Sequence, residues 1–240
     1  MNDKDDIINV LMQGANTLGI SLPLGSVLAF QTYYELLEKK GREVNLTTIR
    51  GATDVARLHF LDSLCLMSVV DFCNASVIDV GSGAGFPGLP LKIAQPTIDL
   101  TLLDASGKRV SFLTALCTAI KIEAKCVHAR AEEYAHNLSV RERYDVAVSR
   151  AVANLSVLAE LCLPMVCTGG VFLAMKSLGA KDEIDEASSA IETLGAKVHR
   201  QVDYVIPGTD ITHTVVEIRK IASTPIKYPR RFARIQKTPL

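Results

Sequence analysis

The chain has 240 residues, of which 48% are hydrophobic, and its 26 acidic and 26 basic side chains leave no net charge. This composition excludes a disordered chain and fits one α/β domain with an extension. The six cysteines show neither metal-ligand nor disulfide spacing, so we expect buried thiols, no metal site and a reducing cytoplasm. No signal peptide opens the sequence, and the longest uncharged run, residues 161–175, is too short to span a bilayer. We therefore expect a soluble cytoplasmic protein without a membrane segment.

The first part of the chain, residues 5–72, is predicted to be helical, with breaks near residues 19–24 and 41–46. Apolar side chains recur at helical spacing within residues 25–39. Thr53 or Asp54 is expected to cap a further helix whose apolar residues run from Val55 to Leu66. These helices should form an N-terminal extension, residues 1–73.

From residue 75 the pattern changes to short apolar strands that alternate with helical segments. Strands are expected at residues 77–80, 98–103, 124–128, 144–149, 170–175, 197–206 and 212–220. Such alternation predicts a parallel sheet with helices on both faces. The short link at Pro207 and Gly208 allows only a hairpin, so the last strand should run antiparallel to its neighbour. The prediction for residues 74–222 is an α/β domain with the seven-stranded, mostly parallel sheet of class I methyltransferases.

A glycine-rich loop follows the first strand and opens a helix. It has the sequence Asp79-Val80-Gly81-Ser82-Gly83-Ala84-Gly85-Phe86-Pro87-Gly88. Glycines allow a tight turn and a close approach of ligand to main chain, and the helix N-terminus favours negative charge.

Two registers of this loop compete. Gly83, Gly85 and Gly88 match a dinucleotide fingerprint. The other register, Asp79 with Gly81, Gly83 and Gly85, places a carboxylate directly before the loop. A carboxylate suits the ammonium and sulfonium groups of S-adenosylmethionine and would repel a pyrophosphate, so we favour this register. A glycine turn that binds no ligand is the third interpretation.

Two further acidic positions follow the second and third strands. Asp104 lies about 20 residues beyond the loop, where an acid can bind ribose hydroxyls, although it can also cap the next helix. After the third strand, the main chain of Ala131 and Glu132 is placed to contact an adenine ring. The alternative there is an ordinary turn whose acidic residues complement a helix N-terminus.

The end of the fourth strand, around Arg150, should face the methyl group. It lacks the Asn/Asp-Pro-Pro-aromatic segment of amino methylation and the Pro-Cys nucleophile of pyrimidine C5 methylation. Guanine N7 fits what remains, because its lone pair is free and requires only in-line placement. Arg150 is the candidate for contact with the cofactor, a phosphate or a base edge, and a structural salt bridge is the alternative.

The C-terminal segment, residues 223–240, is predicted to be a basic tail. Glu217 is the last acidic residue, and the seven basic residues after it are therefore expected to be unopposed: Arg219, Lys220, Lys227, Arg230, Arg231, Arg234 and Lys237. Such a run is typical of phosphate contact, or of a solvated tail. We expect one basic face around the cofactor, formed by this tail with Lys108, Arg109, Arg150 and Lys176. Tyr228 and Phe232 would stack on bases or pin the tail to the domain.

Several short segments together resemble one bacterial family, the small-subunit ribosomal RNA guanine-N7 methyltransferases, also called the glucose-inhibited division protein B family. The resemblance runs from about residue 25 to the C-terminus. Its segments are Asn45-Leu46-Thr47, His59-Phe60-Leu61-Asp62-Ser63, Val80 to Gly88, Leu103-Asp104 with Lys108-Arg109, Arg130-Ala131-Glu132-Glu133, Ser149-Arg150-Ala151 and Ala174-Met175-Lys176.

The resemblance implies a class I fold behind a helical N-terminal extension and a target guanine in 16S ribosomal RNA. It implies S-adenosylmethionine contacts at Gly81, Phe86, Ala131, Glu132 and Arg150, with Asp104 near the ribose. RNA contacts are expected at His59, Lys108, Arg109, Lys176, Arg230 and Arg231. The expected partner is 16S ribosomal RNA or the small subunit, and the chain is expected to be a monomer. One departure is Leu58, where relatives are usually basic; here the basic residue is Arg57.

Other functions remain open at this point. A nicotinamide-dependent oxidoreductase would bind a dinucleotide instead. A binding module would keep the fold, the cofactor and RNA affinity but transfer no methyl group. A methyltransferase for a protein or a small molecule is a fourth hypothesis, which the basic tail disfavours.

Overall fold

The computed structural model describes residues 3–44, 46–150 and 153–240. Asn45 and Ala151, which belong to two of the segments that carry the family resemblance, lie outside the described residues, as does Val152. Their contribution to the predicted site is therefore left as a sequence-based expectation.

The N-terminal region is helical, as predicted, but the expected break at residues 41–46 was wrong for residues 41–44, which belong to a helix. Helix α1 spans Asp3–Thr17 and α2 spans Ser26–Val44. A third helical stretch consists of α3 (Ala52–Val55), a π-helical turn (Ala56–Leu61), α4 (Asp62–Leu64) and a 3-10 turn (Cys65–Ser68). The predicted cap at Thr53 or Asp54 was wrong. The N-cap residue of α3 is Gly51, and no side chain caps this helix.

The rest of the chain forms a seven-stranded sheet flanked by helices. The strands are β1 (Ser76–Val80), β2 (Asp99–Asp104), β3 (Lys125–His128), β4 (Tyr144–Arg150), β5 (Val166–Ser177), β6 (Ala196–Val205) and β7 (Thr212–Lys220). The helices are α5 (Gly88–Ala94), α6 (Gly107–Ala119), α7 (Ala131–Tyr134), α8 (Leu155–Cys162), α9 (Lys181–Thr193) and α10 (Phe232–Lys237). Strand β5 is longer than predicted. Helix α8 ends at Cys162, where a 3-10 turn containing Pro164 follows it.

The strand order is β3-β2-β1-β4-β5-β7-β6. Strands β1 to β5 are parallel, and β7 pairs antiparallel with both β5 and β6, so the predicted terminal hairpin is confirmed. Chain order reverses between β1 and β4, and the crevice outside the carboxyl ends of strands at such a switch point is where open α/β sheets bind ligands. The register places the predicted site residues of β1, β2 and β4 along this one edge.

The core has two clusters, one on each face of the sheet. In the first, Ile7, Phe30 and Tyr33 of the N-terminal helices pack in the same cluster as Val77 and Leu100 of the sheet. The helices thus bury apolar surface that one face of the sheet would otherwise expose. The second cluster fills the opposite face and includes residues from α8, α9 and the C-terminal segment.

The cysteines are free but not all buried. Cys65, Cys117 and Cys162 are buried, as expected for small apolar side chains. Cys73 is exposed, and Cys126 and Cys167 are half-buried. The expectation of six buried thiols was therefore wrong for these three.

The C-terminal segment packs firmly onto the domain. Arg230 makes a bidentate pair with Glu160 of α8, with N–O distances of 2.6 to 3.1 Å, and its backbone N–H donates to the same carboxylate. Glu160 is fully buried. Tyr228 lies in the second core cluster, so the Tyr228 side chain pins the segment to the domain. Arg141 donates to the carbonyl oxygen of Tyr228.

The view of the basic C-terminal run as unopposed was wrong for three of its members. Arg219 pairs with Glu217, Lys220 with Glu142 and Arg230 with Glu160. Glu142 and Glu160 stand 78 and 70 positions before their partners, so only the tertiary fold brings those charges together. Glu217, by contrast, is a local partner two residues from Arg219 on β7.

Replacement of Arg230 by alanine should destabilise the fold, because it leaves the Glu160 carboxylate buried without its counter-ion. We expect the free energy of unfolding to fall by about 3–5 kcal/mol in urea titrations. Arg231→Ala, at the neighbouring exposed position, is the matched control and should change it by less than about 0.5 kcal/mol. Equal effects for the two variants would contradict this role of the buried pair.

Candidate functional site

A cleft of about 770 Å³ opens at the carboxyl edge of the sheet, at the switch point between β1 and β4. Its walls come from the glycine loop, from the third helical stretch and from the ends of β4 and β5. The cleft therefore lies between the N-terminal helices and the sheet, and neither part forms it alone.

Main-chain N–H groups of the glycine loop are hydrogen-bonded to the end of β2. Gly81, Gly83 and Gly85 have φ values of 75°, 59° and 106°, in the left-handed region that favours glycine. The N–H of Gly81 donates to the carbonyl oxygen of Leu103 at 2.8 Å, and the N–H of Gly83 donates to the carboxylate of Asp104 at 2.9 Å. The loop is thus tied to the end of β2, and Gly81 and Gly83 line the cleft.

Asp79 and Asp104 have different surroundings. Asp79 is fully buried, and its Oδ2 accepts the N–H of Gly88 at 2.8 Å, whereas Oδ1 has no partner. Burial outweighs the bond from Gly88 and raises the pKa of this carboxyl to about 7. Asp79 thus holds the far end of the loop, and its contacts are to the loop rather than to the cleft. Asp104, 4% exposed, accepts from Gly83 and Ser106.

Phe86 is the centre of an aromatic stack at the base of the cleft. Its ring lies 5.3 Å from that of Tyr33, with 5° between the planes, and 4.3 Å from that of His59, with 14°. The guanidinium of Arg150 sits 5.0 Å from the Phe86 centroid, at cation–π distance. Tyr33 also donates to the carbonyl oxygen of Ala84 at 2.7 Å. The stack therefore ties α2 and the third helical stretch to the glycine loop.

Arg150 ends β4 and reaches back to the N-terminal helices. Its Nη1 donates to Oδ2 of Asp62 at 2.8 Å and to the carbonyl oxygen of Leu58 at 3.1 Å. Asp62 is 1% exposed and also accepts from Tyr204 at 2.7 Å and from His213 at 2.9 Å. The structural salt bridge, which was the alternative to a ligand contact for Arg150, is therefore present, and Arg150 also lines the cleft.

His59 lies between Arg150 and Thr47. Arg150 Nη2 is 3.0 Å from His59 Nδ1, and Thr47 Oγ1 is 2.8 Å from Nε2. A guanidinium only donates, so Nδ1 must accept and the proton of the neutral ring lies on Nε2. Burial is the main cause that lowers the pKa of His59 to about 3, and the positive charge of Arg150 is the second. His59 is therefore neutral, with both ring nitrogens engaged.

The predicted RNA-contact residues do not all gather at this cleft. Arg109 and Lys176 line it together with Arg150; Arg109 lies 3.6 Å from Asp104, and Lys176 donates to Glu183 at 2.6 Å. Lys108 is not among the residues that line the cleft.

Arg231 lines a second cleft of about 690 Å³ with Arg130 and Glu132, beside the loop that was predicted to meet the adenine. Arg230 lines it too, but its charge is committed to Glu160. The expected single basic face is therefore divided between two clefts.

Leu58 and the neighbouring basic residue, Arg57, lie in different surroundings. Leu58 lines the cleft, whereas Arg57 packs against the turn between β6 and β7, where a side chain on Gly208 would come within 3.1 Å of Arg57 Nε. Both residues belong to the π-helical turn, and such turns occur frequently at functional sites.

Four cleft-side residues escaped the sequence analysis: Asp62, Tyr204, His213 and Tyr33. Asp62 stands in the segment His59-Phe60-Leu61-Asp62-Ser63, so its position carried a signal. Tyr204 and His213 lie on the terminal hairpin and carry none, because only the folded sheet places them beside Asp62.

The described residues contain neither a membrane-spanning helix nor a cluster of metal-ligating side chains. None of the helices in residues 3–44, 46–150 and 153–240 is long and apolar enough to cross a membrane. Within the same ranges, no three or more His, Cys, Asp or Glu side chains are grouped so as to hold a metal ion.

Comparison with known proteins gives a consistent family. The family described as "rRNA small subunit methyltransferase G" matches residues 27–208. Proteins named "Ribosomal RNA small subunit methyltransferase G" from Alkaliphilus oremlandii and Clostridium botulinum are 43% and 40% identical to the chain, each over 237 residues. Both matches cover 98% of this chain and 99% of the relative.

Solved structures support the fold class. The mitomycin 7-O-methyltransferase MmcR superposes with a TM-score of 0.55 and 16% identity, covering 91% of this chain and 67% of its own. M. jannaschii TYW2, solved in complex with AdoMet, superposes with a TM-score of 0.51 and 15% identity, covering 65% of this chain and 73% of its own. The predicted class I methyltransferase fold is confirmed.

The low pKa of His59 predicts an acid-sensitive fold. Between the ordinary imidazole pKa of about 6.5 and the folded value near 3, the unfolded chain binds one proton more than the native one. This stabilisation is complete above pH 6.5 and should fall by up to about 1.4 kcal/mol per pH unit below it.

Urea denaturation at pH 7, 6, 5 and 4 measures this slope. His59→Gln should flatten it, whereas His199→Gln, at an exposed position, should leave it unchanged. An NMR titration that shows the His59 imidazole protonating near pH 6.5 would contradict the prediction.

Proposed function

Because the chain belongs to the rRNA small subunit methyltransferase G family, we propose that it methylates N7 of one guanine in 16S ribosomal RNA, using S-adenosylmethionine. The observation that carries the proposal is the cleft where Arg150 and the glycine loop meet at the switch point of the sheet. We further propose that the enzyme acts in the cytoplasm, as a monomer, on this RNA or on the small subunit.

The cleft suits S-adenosylmethionine in shape and chemistry. A Cβ on Gly83 would meet only the carbonyl oxygen of Gly81, at 3.9 Å, so the main chain there is open to a ligand. The buried Asp104 stands at the end of β2, where ribose hydroxyls bind in related folds. Gly81, Phe86 and Asp104 would hold the cofactor on one side of the cleft, and Ala131 and Glu132 would contact the adenine. S-adenosylmethionine supplies an electrophilic methyl group on its sulfonium.

Methylation at N7 needs no proton transfer before the new bond forms. The N7 lone pair forms the nitrogen–carbon bond as the carbon–sulfur bond breaks, and the positive charge passes from the sulfonium to the purine. His59 is neutral and hydrogen-bonded at both ring nitrogens, so it fits a site that orients the base and not one that removes a proton. The chain's residues would act by placing N7 in line with the methyl group.

The cations of the cleft would contact the RNA. Arg109 and Lys176 line the same cleft as Arg150, and each has an acidic neighbour: Asp104 at 3.6 Å from Arg109 and Glu183 at 2.6 Å from Lys176. Phosphate contacts by such side chains orient an RNA without reading its sequence. Arg231, which lines the second cleft, would extend the phosphate contact along the RNA. Arg230 would instead support the fold, because its charge is paired with the buried Glu160.

The test is methyl transfer from labelled S-adenosylmethionine to small ribosomal subunits prepared from cells that lack this protein. We expect one labelled guanine, located by cleavage at N7-methylguanosine. Arg150→Ala should lower the rate of methyl transfer by about 100-fold, because the cleft loses the guanidinium that would help to place the reacting atoms. Arg143→Ala, at the exposed position just before β4 begins, is the matched control and should keep the full rate.

Other outcomes separate the competing functions. Binding of a nicotinamide dinucleotide in place of S-adenosylmethionine would identify an oxidoreductase. Cofactor binding and salt-dependent RNA affinity without transfer would identify a binding module. Label on protein or on another nucleotide would overturn the proposed acceptor.

A further inference from the structure

We infer that Asp62 is the positioning residue for Arg150 during methyl transfer: it holds the guanidinium in place and balances its charge beside the methyl donor. The inference rests on the proposed function and assigns a role to a side chain of the N-terminal extension. Asp62 itself acts through Arg150.

The first support is the burial of Asp62, which costs free energy because its carboxylate loses contact with water. A carboxylate that is 1% exposed is destabilising unless several partners compensate for the lost water. Asp62 has three such partners, and each comes from a different strand: Arg150 from β4, Tyr204 from β6 and His213 from β7. The fold thus surrounds one acid of the third helical stretch with donors from three strands.

The carboxylate is kept in its charged form. Burial by itself would raise the pKa of Asp62, but the hydrogen bond from His213, the charge of Arg150 and the hydrogen bond from Tyr204 outweigh it. The net result is a pKa below the ordinary value. Asp62 is therefore a fixed negative charge 2.8 Å from Nη1 of Arg150.

The second support is the way Arg150 is oriented. Nη1 is shared between Asp62 and the carbonyl oxygen of Leu58, Nη2 points to Nδ1 of His59, and the planar group lies over Phe86. These contacts define the plane of the guanidinium as well as its position. Without the Asp62 charge, the strongest of these contacts is lost, and a long flexible side chain in an open cleft becomes free to turn.

The third support is charge balance. In the proposed reaction a cationic sulfonium approaches the guanine, and the methylated purine carries the same positive charge away. An uncompensated guanidinium beside them would repel both. The Asp62–Arg150 pair is neutral overall, so Arg150 can donate hydrogen bonds in the cleft without a net charge that disfavours the donor.

A double-mutant cycle on the full chain tests this role. The single-turnover rate of methyl transfer to small subunits is measured at saturating S-adenosylmethionine for Asp62→Asn, for Arg150→Gln and for the double variant. We expect each single variant to be slower by about 100-fold. The double variant should be no slower than Arg150→Gln alone, because Asp62 acts through Arg150 and the two losses do not add.

Asp145→Asn is the matched control, since it makes the same chemical change at the opposite end of β4, where Asp145 bonds Ser76. It should keep the wild-type rate. The affinity for S-adenosylmethionine, measured by calorimetry, and the melting temperature are recorded for every variant. If Asp62→Asn does not fold, the double variant still tests the inference, because it contains no unpaired buried charge.

The outcomes distinguish the inference from the proposed function. If the wild-type protein labels no guanine, the proposed function fails and the inference fails with it. If the wild type is active but folded Asp62→Asn keeps its rate within threefold, only the inference is overturned. A double variant more than tenfold slower than Arg150→Gln would also overturn it, because Asp62 would then act independently of Arg150.

Discussion

The buried ion pair between Asp62 and Arg150 joins the two parts of this molecule. One partner belongs to the helices that precede the sheet, and the other ends β4 at the edge where the cleft opens. The pair draws in Tyr204 and His213 from the terminal hairpin, so four separated segments of the chain meet at one carboxylate. Because a buried charge tolerates no loss of partners, these segments must assemble together. The cleft is therefore a product of the whole fold.

The aromatic stack reinforces the same junction by a different force. Tyr33, Phe86 and His59 come from α2, from the glycine loop and from the π-helical turn, and their planes lie nearly parallel. The stack buries apolar surface while the polar network beside it satisfies the hydrogen-bonding groups. The position of the glycine loop thus depends on the N-terminal helices as well as on β1 and β2. The helical extension is part of the site and more than a cover for the sheet.

Folding determines which charged side chains are paired and which remain available for contacts. The C-terminal segment carries a run of basic residues, yet Arg219, Lys220 and Arg230 are paired with acids that precede them. Glu160 is decisive here, because a fully buried carboxylate on an apolar helix requires a cation. The remaining cations are divided between the cleft, where Arg109 and Lys176 lie, and the second cleft beside Arg231. A neutral chain thereby keeps local basic surfaces.

The sequence by itself determined the elements that depend on local pattern. The alternation of strands and helices, the terminal hairpin and the glycine loop after β1 follow from periodicity and turn chemistry within a few residues. The family segments predicted cofactor roles for Arg150 and Asp104, and Arg150 lines the cleft. Only the tertiary structure decided which side chains share an environment: the contacts of Asp62 span 88 to 151 positions of sequence separation, and no local pattern encodes them. The neutral state of His59 is decided in the same way, because it follows from burial and from the charge of Arg150, both of which exist only after folding.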